Sequence, residues 1–93
     1  AAVISSSRRA GSVTSMDVLN KHLSISEMPI VTSNYWNEVH GHTPSDVEQD
    51  REGLDTMYAL GKNMAWMLKC IEAGKKAGIE VPQNKKRTTN FIR

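Results

Sequence analysis

P-I-V-T-S-N-Y-W-N-E-V-H-G-H-T-P, Pro29 to Pro44, begins apolar, turns aromatic and amide-rich, and ends in a helix-start signature. With Met28 in front, Ile30-Val31 makes the short, unalternating apolar run of a parallel strand covered on both faces. This reading ends the strand at Val31 and places Thr32 to Trp36 at its carboxyl end. Ligands of open α/β sheets gather at that end, so Ser33, Asn34, Tyr35, Trp36 and Asn37 are the first residues to consider for binding. Thr43 then caps the next helix, Pro44 occupies its first position and Asp46 reaches back to complete the cap.

Upstream, Ala1-Ala2-Val3-Ile4 running into Ser5-Ser6 predicts a buried strand over 1–6, followed by the polar loop Ser7-Arg8-Arg9-Ala10-Gly11. Ser12 reads as the N-cap of a helix through about Leu23, with Val13, Met16, Leu19 and Leu23 on one apolar face. Strand, helix, strand is a parallel, right-handed βαβ unit, whose two polar loops are expected on the same edge of the sheet. The serine- and arginine-rich loop either binds a phosphate, carboxylate or flavin-like anion through helix-terminal amides and guanidinium groups, or is a solvated corner. Tyr35 and Trp36 either stack on a planar ligand or close the core under the next helix. His40-Gly41-His42 is poor metal-binding material, with histidines only two apart and no cysteine near. Either histidine can serve as a proton donor or as a partner for a bound ring.

Downstream, helix is predicted from Pro44 nearly to Gly74, with a kink or break at Gly53. Leu54, Met57, Tyr58, Gly61, Met64, Ala65, Leu68, Ile71 and Glu72 recur at three-four spacing, a stripe expected to pack on the sheet. Leu60, Trp66 and Met67 fall off that stripe and read as an exposed subunit or interdomain contact. Gly74-Lys75-Lys76-Ala77-Gly78 is a helix stop, with cations against the dipole and a glycine cap. Residues 79–93 form a polar, basic tail, ending in Phe91-Ile92-Arg93, whose apolar pair is expected to dock on a neighbouring surface.

Composition narrows the classes. Residues 1–74 hold six Lys/Arg against nine Asp/Glu, and 75–93 hold six against one, so a mildly acidic body carries a basic tail. The tail has three consecutive cations and no interleaved aromatics, which argues against nucleic acid. Neither G-x-G-x-x-G nor a P-loop occurs, so a self-contained dinucleotide or nucleoside triphosphate site is absent. The single cysteine, Cys70, fits a reducing compartment, and no apolar run approaches the roughly 18 residues of a membrane span; a soluble cytoplasmic protein is expected. At 93 residues the chain is too short for a complete open α/β sheet, so 1–93 is read as one partial domain, β-α-β-α over 1–78 plus the tail.

The strings R-R-A-G, I-S-E-M-P-I-V-T-S-N-Y-W-N-E-V-H-G-H-T-P, R-E-G-L-D-T-M, L-G-K-N-M-A-W-M-L-K-C-I-E-A-G and T-N-F-I-R together resemble the C-terminal half of the flavodoxin-like NADPH-dependent FMN reductases. The resemblance implies the last two strands and their helices of a doubly wound parallel sheet. It also implies FMN at the carboxyl edge, and electron transfer from NAD(P)H to a flavin, quinone or related acceptor, with the flavin carrying the hydride. On this reading Ser5, Ser6, Ser7, Arg8, Arg9, Ala10 and Gly11 flank the isoalloxazine ring and Tyr35 and Trp36 lie beside it, while no side chain is a catalytic acid or nucleophile. The family's phosphate-gripping loop has no counterpart here, so weak flavin binding, or none, is expected of this chain alone. The rival reading is an interaction module: two strands with open edges pair with another copy or another half, which predicts a homo-oligomer.

Overall fold

The computed structural model describes residues 1–92; Arg93, the last residue of the basic tail, lies outside them. In chain order the elements are β1 (Ser5–Ser7), α1 (Ser12–Ile25), β2 (Glu38–His40), α2 (Pro44–Val47) and α3 (Arg51–Lys76). The strands pair in parallel, Ser5 with Glu38, Ser6 with Val39 and Ser7 with His40. The architecture is therefore mixed α/β around a two-stranded parallel sheet.

Side chains alternate across a strand and paired residues share a face. Ser7 hydrogen-bonds Ser12 of α1, whereas Val39, the partner of Ser6, lies against Gly53 of α3. The two long helices therefore cover opposite faces. Among the described residues the buried apolar ones are few: Val3, Met16, Val31 and Leu60.

The second strand differs from the sequence expectation, lying at Glu38–His40 and not at Met28–Val31. Residues 29–31 do run beside the N-terminus, since the Ala1 amino group donates to Pro29 O and Val31 N–H donates to Ala1 O, at 2.9 and 2.8 Å. Pairing resumes where Ser5 N–H donates to Asn37 O at 3.0 Å. The partner segment spends more residues than the first strand between these two ties, and the excess leaves the ladder as a loop over 32–37. The first strand likewise shrinks from 1–6 to Ser5–Ser7, because only there does a continuous partner lie alongside. Serine has little strand preference of its own.

Cap geometry corrects two further expectations and supports others. Gly11, at φ 98°, is the N-cap of α1, and Ser12 is its first helical residue, buried against Ser7. The inward face of α1 runs through Met16 and Asn20, while Leu19, expected inside, is 47% exposed. Thr43, Pro44 and Asp46 form the expected capping box, with Thr43 N–H donating to Asp46 Oδ2 at 2.9 Å and Asp46 N–H to Thr43 Oγ1 at 3.3 Å. The helix break falls between Val47 and Arg51, ahead of Gly53, because Asp50 caps a new helix. At the far end of α3, Gly78 (φ 81°) donates to Lys75 O and Ile79 to Gly74 O, a Schellman close on the predicted glycine.

The end of α1 repeats that motif with the wrong residue. Glu27 N–H donates to Ser24 O and Met28 N–H to Leu23 O, which forces Glu27 to φ 56°. Glu27→Gly is therefore expected to stabilise the fold by about 0.5–1 kcal/mol, read as a raised urea midpoint, despite loss of the long 3.3 Å bond from Asn84 to the Glu27 carboxylate.

α3 is rotated relative to the predicted stripe. Gly53, Thr56 and Leu60 are its buried residues, whereas Tyr58, Leu68 and Ile71 are exposed. Leu60, expected on the outside, is 5% exposed and Met67 is half-buried, leaving Trp66 alone of that trio in solvent. The anchor is at the N-terminus of the helix, where the Asp50 cap and the glycine fit against Val39 set its azimuth before the apolar stripe can choose it. The tail is irregular from Ile79 to Ile92, and Phe91 and Ile92 are exposed. Among the described residues no helix is long and apolar enough to cross a membrane.

Candidate functional site

The carboxyl edge of the sheet is formed by the loops leaving β1 and β2. Parallel pairing ends with Ser7 beside His40, continued by Gly41 N–H donating to Ser7 O at 3.2 Å, and the two chains diverge there into Arg8–Gly11 and Gly41–Thr43. A chain of polar groups spans the divide. Ser12 Oγ lies 2.7 Å from Ser7 Oγ, and His40 Nδ1 lies 3.2 Å from both Ser7 Oγ and Ser7 O. A carbonyl only accepts, so the tautomer carrying its proton on Nδ1 suits this position, leaving Nε2 toward Glu38 Oε1 at 3.8 Å.

Asp50 supports His40 from below. Its carboxylate accepts Gly53 N–H at 2.9 Å and His40 N–H at 2.7 Å, and these two bonds hold the carboxyl below its ordinary range against the opposing effect of burial. Asp46 is also lowered, by the backbone N–H and hydroxyl of Thr43 and then by His42 N–H. Gly41 separates the histidines because α2 passes close by: a Cβ there meets Val47 Cγ2 at 2.6 Å and Val47 N at 2.8 Å. The histidine pair is thus a tight strand-to-helix corner. Among the described residues no three His, Cys, Asp or Glu side chains converge as a metal site.

Of the residues singled out from sequence, Ser7, Arg8, Arg9, Ala10 and Gly11 line this edge, with Ser5 and Ser6 in the strand leading to it. Arg8, Arg9, Ala10 and Gly11 are exposed, and among the described residues neither guanidinium forms an ion pair. No side chain caps the first turn of α1, which follows directly on the loop carrying the two arginines.

Tyr35 and Trp36 do not share the edge. They precede β2, at its amino end, four and five residues back from His40, beyond a turn in which Glu38 N–H donates to Trp36 O at 2.7 Å. The expectation that both polar loops open side by side fails because the second strand forms after the aromatic loop. The loop has its own framework. Ser33 Oγ sits 2.6 Å from Asn37 Oδ1 and 2.7 Å from Tyr35 O, and Asn37 Nδ2 donates to Val3 O at 3.0 Å. Asn63 on α3 donates to Thr32 O at 2.7 Å. Asn37 is consequently a structural clasp, and the two rings, 6.3 Å apart and tilted by 52°, stand more than half exposed.

Sequence reading left Ser12 and Asp50 out of the site. Asp50 has a legible signal, an aspartate three residues before glycine at a helix start. Ser12 has none, since its burial depends on Ser7. Comparison with known proteins finds no matching family model, no similar curated protein and no similar solved structure.

Proposed function

We propose that this chain supplies one edge of a flavodoxin-like, FMN-dependent oxidoreductase that passes electrons from NAD(P)H to a flavin, quinone or similar acceptor. The observation that carries the reading is the uncapped N-terminus of α1 beside unpaired Arg8 and Arg9, at the carboxyl end of a parallel strand with helices on opposite faces. Those donors suit an anionic or electron-rich ring edge. Bound FMN supplies the hydride chemistry. Arg8, Arg9 and the backbone of Ala10 and Gly11 orient it, and Ser7, Ser12 and His40 keep the loop in register. Ile4 and Ser6 are exposed on the face that α3 covers only at β2, and Tyr58 and Leu68 are exposed on α3 itself, so further strands have a surface to pack against.

Titration of FMN fluorescence is the test. With no phosphate-gripping loop on this chain, any saturable quenching is expected to be weak, to fall by about a further three- to tenfold in Arg8→Ala, the scale of one charge-assisted contact, and to be unchanged in Trp36→Ala, which lies at the other end of the strand. Equal loss in both variants removes the carboxyl-edge assignment, and absence of saturable quenching shifts the reading to self-association of a half that does not hold flavin by itself.

A second reading, a non-catalytic pairing module, is favoured by the shape. The radius of gyration is 17.4 Å and the extents are 47 × 47 × 18 Å, against about 12 Å for a compact chain of this length. Sedimentation that shifts with concentration in flavin-free protein supports it.

A further inference from the structure

Between α1 and the 30–37 segment lies a cleft of ≈ 400 Å³. Its apolar lining comes from Val13 and Met16 of α1 and from Ile30, Tyr35 and Trp36 of the 30–37 segment. Its polar groups are nearly all acceptors or neutral: Asp17 and Asn20 on α1, and the hydroxyl and amide residues of the loop. No lysine, arginine or histidine lines it. Asn20 Oδ1 is shut off from solvent and has no hydrogen-bond partner, although a buried acceptor is costly unless paired.

We propose that this cleft binds a planar organic cation bearing N–H donors, of the amidine or arylamine class. The ring of such a ligand lies against Trp36 and Tyr35, whose faces attract positive charge. Its N–H groups reach the Asp17 carboxylate and the Asn20 carboxamide, whose soft terminal torsion lets Oδ1 turn into the cleft once a donor is present. The hydrogen bonds that hold Ser33, Asn37 and Thr32 fix the aromatic wall in advance, so little ordering remains to be done on binding. The site is separate from the carboxyl edge and does not depend on flavin.

The experiment is a ¹H–¹⁵N NMR titration of the chain with benzamidine, and with benzoate, its anionic counterpart of the same shape. Benzamidine is expected to move the Trp36 indole and Asn20 side-chain signals saturably, and benzoate to leave them in place. Asp17→Asn, at an exposed helical position, is expected to weaken benzamidine about five- to tenfold. Asn20→Leu is expected to weaken it comparably while raising the thermal midpoint, because the orphaned acceptor is removed. Equal binding of both probes, no saturable shift with benzamidine, or full affinity in Asp17→Asn overturns the proposal. An Asn20→Leu variant that melts lower than the parent overturns the assignment of Asn20 to the ligand.

Discussion

Gly53→Ala is expected to destabilise the protein by about 3 kcal/mol, lowering the thermal midpoint by roughly 15 °C for a chain of this size. Gly53 is buried in the first turn of α3, with no positive φ, so the argument is one of space. A Cβ there runs into the Asp50 carboxylate and comes within 2.9 Å of Val39 Cγ1 on β2. Relief requires either the helix to lift from the sheet or the cap to let go, and both undo the contact that sets the helix azimuth. Gly61→Ala in the same helix is the internal control. No atom lies within 4 Å of its Cβ position, so it is expected to stabilise by about 0.5–1 kcal/mol through helix propensity alone. Circular dichroism melts of the two variants check this, and two midpoints moving the same way defeat the close-packing argument.

Asp50→Ala is expected to cost about 2–3 kcal/mol, combining a lost N-cap with an N–H of β2 left without its acceptor. The carboxylate joins two elements, bonding Gly53 N–H of α3 and His40 N–H of β2 at 2.9 and 2.7 Å. Its effect and that of Gly53→Ala are expected to be less than additive, since each loosens the same junction. The pH dependence has a definite sign. The folded carboxyl titrates below its unfolded value of 3.8, so the stabilisation is complete above that value and drains away as pH falls through the lower folded value. Asp46, lowered by its own cap bonds, acts in the same direction. Urea midpoints measured from neutral pH to about pH 2.5, spanning the carboxylate range, are expected to fall across the acid arm in the parent and to fall less in Asp50→Asn. An unchanged acid arm in that variant removes Asp50 from the linkage.

Both predictions lie beneath the candidate site. His40 faces Ser7 through its ring while its backbone hangs on Asp50, so a change at the α3 cap is transmitted to the divide between the two carboxyl-edge loops. Asp50→Ala is for that reason expected to loosen the loop carrying Arg8 and Arg9 as well as the helix.

Local chemistry alone determined much of the framework. The Thr43-Pro44-Asp46 cap, the Gly74–Gly78 stop and the alternation of polar loop with three-four apolar spacing specify where helices begin and end, because each signal is satisfied by backbone groups a few residues away. The Ser7–Gly11 loop was legible for the same reason: a glycine with exposed cations before a helix is a local arrangement. Only tertiary structure decided the rest. Ile30-Val31 is the more apolar stretch and Val39 is flanked by Glu38 and His40, yet partner hydrogen bonds chose Glu38–His40 as the strand, placing Tyr35 and Trp36 at its amino end. The stripe on α3 predicts a buried face, yet the fit of Gly53 against Val39 turned Leu60 inward and Tyr58 outward. Asn20 came to face the cleft by the same kind of non-local choice. Register and azimuth depend on which distant backbone groups and surfaces meet, and that information is spread over the chain.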